Sequence, residues 1–180
     1  PPYRGFHVRP STLIAKIVTH YGSEVYLKMG SSIFNAASPL ELFRVNEKIN
    51  AEKRNQLAND IGKLKEFEMD SIPSADEARK KLREMFYSLL EKGNLILYQN
   101  SVNFDELAPQ DGETLGEFAR RAIAHCLFLG WIDIRTAIQV DFIGDSRVLD
   151  DIKLLADNGY GEDKYGNNIV LPEELQYLRR

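Results

Sequence analysis

Cysteine is nearly missing from this chain: Cys126 is the single instance in 180 residues. One thiol excludes an internal disulfide framework and a cysteine-rich metal site. A reducing cytoplasm is therefore the expected compartment. Long apolar runs are missing as well; none approaches the ~20 residues that a membrane helix needs. Residues 1–30 lack the charged, apolar and small-residue order of a signal peptide. No internal repeat and no low-complexity tract stands out. Net positive charge is also missing: the formal total is −4, which gives no support for nucleic-acid binding.

What is present describes a folded protein. Hydrophobic residues make up 43% and charged residues 28%, a balance that argues against wholesale disorder. The charge is uneven. Residues 1–50 hold six basic side chains (Arg4, Arg9, Lys16, Lys28, Arg44, Lys48) and three acidic ones (Glu24, Glu41, Glu47), so that segment is +3 and the remainder −7. A basic N-terminal piece suits an acidic partner or a phosphoryl group.

Residues 9–21 read as a helix. Leu13, Ile14, Ile17, Val18 and Tyr21 form one apolar stripe, and Gly22 stops it. Residues 23–29 alternate as a half-buried strand, Gly30-Ser31 turns, and 32–36 return as a second strand. Ser38, Pro39 and Glu41 mark a helix start that runs past Asn50. The charged residues 51–70 carry a sparse stripe of Leu57, Ile61, Leu64 and Phe67, and Ser71-Ile72-Pro73 breaks it. Ser74 and Glu77 cap a helix over 74–92 whose face holds Leu82, Met85, Phe86, Leu89 and Leu90. That face either packs on the main core or serves self-association. Residues 94–99 read as a short buried strand, 114–129 as a helix with a capping box at Thr114 and Glu117, and 135–143 as a late strand. Ser146 opens a last helix that Gly159 stops, and a Gly, Asn and Asp-rich loop follows.

The segment that carries chemistry is Gly5-Phe6-His7-Val8-Arg9-Pro10-Ser11. It places a histidine just before a helix and an arginine two residues on. The first N–H groups of a helix have no partner within it and carry roughly half a positive charge, so they make an anion site. A neutral imidazole nitrogen there is a competent nucleophile. The planar fork of Arg9 can make two hydrogen bonds to phosphate oxygens. Such a site holds a phosphoryl group with neither a metal nor an organic cofactor. On spacing alone, a helix cap or a plain surface residue is the commoner explanation of such a histidine.

The string GFHVRPS resembles the GLHARPA-type signature around the active histidine of HPr, the histidine phosphocarrier of the bacterial sugar phosphotransferase system. The likeness runs without a gap over residues 5–45: helix, alternating strand, turn, return strand and second helix come in that family's order. The resemblance implies an α+β fold, an HPr-like open-faced β-sandwich in which helices cover a small antiparallel sheet. Residues 1–130 would be the HPr-like domain with a helical insertion at about 51–90, and 131–180 a C-terminal extension packed on it. Residues 94–99 would be the family's last strand and 114–129 its last helix. His7 would take a phosphoryl group from an enzyme I-type donor and pass it to an acceptor protein, with Arg9 beside it. Ser38 holds the position of the regulatory serine of many Gram-positive members. The partner surface, carried over by position, includes Val8, Thr12, Lys16, Leu40 and Phe43; ordinary core packing serves Leu40 and Phe43 equally well.

The chain departs from the family in several places. Val8 stands where the family has a small alanine, Ala37 where it has a lysine, and Pro39 follows Ser38. A helix cap therefore suits Ser38 better than a regulated site. The family has a full strand before the histidine, but only PPYRG precedes it here. Either that strand lies outside this sequence or another segment fills the sheet edge, with 137–142 the candidate. Two rival functions remain. One is a protein-binding or oligomerising module on the HPr-like scaffold without phosphotransfer, for which the 74–92 helix offers a homo-oligomer surface. The other is an enzyme with His7 as general base and no metal. Elsewhere, His20 fits a favourable charge at a helix end. His125 and Cys126 point in different directions on a helix, and the spacing of Asp157, Asn158 and Asp163 fits a solvated turn better than a calcium loop. The acidic run at 65–70 fits a solvated helix face.

Overall fold

The computed structural model describes residue 1 and residues 4–62, 74–98, 102–135, 138–163 and 165–179. In chain order the elements are α1 (Val8–Tyr21), β1 (Val25–Met29), β2 (Ser32–Asn35), α2 (Pro39–Gly62), α3 (Ala75–Glu91), β3 (Leu95–Leu97), α4 (Leu115–Phe128), β4 (Ile132–Ile134), β5 (Asp141–Gly144) and α5 (Ser146–Asp157). Short 3-10 segments lie at Phe104–Glu106, Gly159–Gly161 and Glu173–Arg179. The fold class is α+β, with antiparallel pairing among the described strands. Among the described residues no helix is long and apolar enough to cross a membrane. The charged stretch read as a helix over 51–70 is helical as far as Gly62; the rest of it, with the acidic run and the Ser71-Ile72-Pro73 break, lies outside the described residues.

Two compact units share the chain. One is Pro1–Asn50 together with Ala137–Arg180, and the other is Ala51–Thr136. These boundaries differ from the division at residue 130 and the insertion at 51–90 drawn from the sequence. The segment read as an extension belongs to the same unit as His7.

The first unit holds a three-stranded sheet in the order β2-β1-β5. Leu27 faces Phe34 on one side and Phe142 on the other. The alternation of β1 buries Val25 and Leu27 and leaves Tyr26 and Lys28 outside, as a one-faced strand requires. Ile14, Ile17 and Val18 of α1, Leu42 and Val45 of α2, and Val148, Ile152 and Leu155 of α5 are buried in the same core. Gly22, with φ 62°, closes α1, a left-handed conformation that costs glycine little. The N–H of Glu41 donates to Ser38 Oγ at 3.3 Å, so Ser38 caps α2; the Glu41 carboxylate turns to Arg44. The late strand read over 135–143 covers Asp141–Gly144 and lies beside β1.

The second unit has its own core and its own two-stranded sheet, β3 with β4. Residues 94–99 were candidates for the strand completing the sheet of β1; Leu95 pairs with Ile134 instead. A short apolar run announces a buried strand without naming its partner. Leu82, Met85, Phe86 and Leu89 of α3 pack with Phe118, Ala122 and Ile123 of α4. The 74–92 face, expected on the main core or in a self-association interface, packs in this unit's own core and not in the core of the His7 unit. With Leu82, Phe86 and Leu89 buried inside this unit, that face offers no surface for self-association. Thr114 and Glu117 form the full capping box at the start of α4, and Ser74 caps α3 through the Glu77 N–H at 3.2 Å.

Candidate functional site

The backbone around His7 is fixed from several sides. Gly5 has φ +61°, and a Cβ there would meet Asn46 Oδ1 at 2.1 Å. That same oxygen accepts the Phe6 N–H at 2.9 Å. The Phe6 ring is buried and meets Phe142 edge-on, with centroids 6.2 Å apart. Ser11, wholly buried, donates its hydroxyl to the Phe6 carbonyl at 2.8 Å. His7 thus becomes the N-cap residue of α1, as the sequence indicates, but its ring makes no capping bond to the helix.

The ring meets a carboxylate instead. His7 Nε2 lies 2.9 Å from Glu162 Oε1 and 3.0 Å from Oε2. The Glu162 side chain is 7% exposed and that of His7 is 28% exposed. On the other side, Nδ1 lies 3.1 Å from the Gly5 carbonyl, which also accepts the His7 N–H at 2.9 Å. Both ring nitrogens therefore face acceptors, and with a hydrogen on each both contacts are hydrogen bonds. Arg9 Nη1 donates to the Gly161 carbonyl at 3.1 Å. Arg9, expected to face an anion, is engaged instead with the backbone next to Glu162.

Glu162 is held by a closed loop. Ile169 N–H donates to Gly161 O and Asp163 N–H to Asn167 O, both at 3.0 Å. Gly161 has φ +76°, with Leu13 Cδ1 3.1 Å from where a Cβ would stand. The Asp163 carboxylate accepts the N–H groups of Tyr165 and Asn167 and the Asn167 amide. Those donors, the Asn167 side chain first, hold its carboxyl below the usual carboxylate range. Asp163 is therefore a turn-closing residue, in line with the solvated-turn reading. Among the described residues no three His, Cys, Asp or Glu side chains gather as a metal site.

The other residues singled out from the sequence fall in several places. Val8 is 69% and Leu40 61% exposed, while Phe43 is half-buried. Thr12 donates its hydroxyl to the Val8 carbonyl at 2.7 Å, and Lys16 Nζ donates to the Leu178 carbonyl at 3.2 Å. Thr12 and Lys16 line a cavity of about 440 Å³ together with His20, Pro39 and Tyr177. His20 stacks on Tyr177, with centroids 4.1 Å apart. The hydroxyls of Tyr21 and Tyr177 both donate to Asp151 Oδ2, at 2.9 and 2.6 Å. Burial first, and then that bond, pushes the Tyr177 phenol up. His125 is exposed near the end of α4 and edge-on to Trp131. Its neighbour Cys126 is buried, which pushes the thiol up to about 11.

Sequence reasoning missed Glu162 and Asn46. Glu162 sits in a loop whose Gly, Asn and Asp content signals a turn. The one local hint is Gly161 immediately before it. Nothing in a linear pattern pairs it with a histidine 155 positions away. Comparison with family models, with curated proteins and with solved structures gives no match.

Proposed function

We propose that this protein is an HPr-like phosphocarrier, in which His7 accepts a phosphoryl group from an enzyme I-type donor and gives it to an acceptor protein. The observation that carries the reading is the half-exposed His7 imidazole at the N-terminus of α1, with Arg9 in the first turn of that helix. By the i→i−4 rule the N–H groups of Val8 and Arg9 have no partner within the helix and can donate to phosphoryl oxygens. The order α1, β1–β2 hairpin and α2 supports an HPr-like open-faced sandwich. Residues 94–99 and 114–129, expected as the family's last strand and last helix, lie in the other unit, and β5 and α5 are what the His7 unit offers for those two roles. The exposed apolar Val8 and Leu40, on a segment of net +3, suit transient docking of an acidic partner. Ser38 keeps the position of the regulatory serine, with its hydroxyl already engaged as the cap of α2. A cytoplasmic location goes with this reading.

One observation favours the rival, a binding module without phosphotransfer. Both His7 nitrogens and the Arg9 guanidinium are already engaged within the chain. Incubation with enzyme I and labelled phosphoenolpyruvate separates the two. The carrier takes up an acid-labile, alkali-stable label, His7→Ala abolishes it, and His20→Ala and His125→Ala leave it unchanged. A wild-type protein that takes no label from its own enzyme I leaves the binding module as the function.

A further inference from the structure

We propose that Glu162 is a positioning residue for phosphoryl transfer: it holds the Nε2–H of His7, so that Nδ1 takes the phosphoryl group. The inference rests on the carrier reading and deepens it.

Two acceptors compete for the protons of one ring. The Glu162 carboxylate reaches Nε2 with both oxygens, at 2.9 and 3.0 Å. The Gly5 carbonyl reaches Nδ1 at 3.1 Å and already accepts the His7 N–H. A hydrogen bond to an ionised acceptor is roughly twice as strong as one between neutral groups. In the neutral ring the hydrogen therefore sits on Nε2, facing Glu162. The lone pair then sits on Nδ1. The same logic lets a buried aspartate fix the tautomer of a catalytic histidine.

The product obeys the same rule. A phosphoryl group on Nδ1 leaves the Nε2–H bond to Glu162 intact. One on Nε2 would put phosphoryl oxygens against a buried carboxylate, like charge against like. The step balances: the Nδ1–P bond forms, the bond from phosphorus to the donor's nitrogen breaks, and the departing nitrogen keeps that electron pair. Nδ1 attacks with its lone pair and carries no proton, so none moves on His7. The ring keeps Nε2–H and gains the positive charge that faces Glu162, and a departing nitrogen that needs a proton takes it from solvent. The carboxylate cannot swing aside easily. Its backbone follows Gly161, which is packed against Leu13 and held through its carbonyl by Arg9.

Potassium phosphoramidate, a small P–N donor that needs no partner protein, tests this on the full chain. Wild type is expected to be labelled on His7, with nitrogen and phosphorus NMR placing the phosphorus on Nδ1. Glu162→Gln is expected to slow labelling at least about 10-fold, and Glu162→Asp to recover part of that loss. The neutral wild-type ring is expected to show the Nε2–H tautomer, a readout that a merely structural role would not set. Labelling of Glu162→Gln at the wild-type rate or faster overturns the proposal, as do a phosphorus on Nε2 and an unlabelled folded wild type. If Glu162→Gln does not fold, the wild-type ring spectrum decides, and an Nδ1–H neutral tautomer overturns the proposal. Enzyme I serves as a separate arm. Phosphoramidate labelling that depends on Glu162 without any labelling by enzyme I sinks the carrier reading and leaves the positioning role standing.

Discussion

An alanine at position 5 would bring its Cβ to 2.1 Å from Asn46 Oδ1 and would have to adopt a φ of +61°. Either the backbone changes or the Asn46–Phe6 bond is lost, and the turn that presents His7 goes with it. Gly5→Ala is expected to cost about 1–3 kcal/mol, the scale of a strained left-handed residue with a steric conflict. Urea unfolding of the purified variant checks it, and a midpoint equal to wild type would show that the turn is not confined in this way. At this scale the sequence was informative where chemistry is local. Gly5, His7 and Arg9 lie within five positions, and a helix start beside them makes an anion site readable. Glu162 was unreadable because its meaning comes from a contact made across the fold, and a charged residue in a polar loop has many uses.

Helices and strands announced themselves through period and caps, and the caps carry measurable consequences. Asp145 caps α5: its carboxylate accepts the Arg147 N–H at 3.0 Å and the Ser23 hydroxyl at 2.9 Å. The Arg147 guanidinium first, and then Ser23, hold its carboxyl well below the usual carboxylate range. A folded state that binds the proton less tightly than the unfolded chain gains stability above the unfolded value of about 4. It loses that gain as pH falls through the folded value. Asp145→Asn is therefore expected to lower the unfolding midpoint at neutral pH, and the gap to wild type closes progressively below about pH 4. A gap independent of pH would mean that the charge of Asp145 contributes nothing. The stripe of α1 and the alternation of β1 were legible because each is set by a single solvent boundary. The exposed β5, which buries little of its own surface, carried a faint pattern, and its partner strand could not be named from it.

Among the described residues, two cores that share no member divide the chain. Phe118 is wholly buried in the core of the Ala51–Thr136 unit. Phe118→Ala is expected to remove about 3–5 kcal/mol from that unit. Hydrogen exchange followed by residue is expected to speed up in α3 and α4 far more than in α1 and β1; an equal increase in all four would show that the units unfold as one. This division was hidden in the sequence because periodicity assigns a residue to a core without saying which core. Its cause is connectivity: Lys28 of β1 pairs with Asp141 of β5 across the whole second unit. During synthesis the chain is threaded from the ribosome N-terminal end first, so His7 emerges long before its carboxylate partner. A nascent protein stalled anywhere short of residue 162 displays the histidine with no Glu162 to hold it, and the pair forms only after the strand, helix and loop made last have closed onto the part made first.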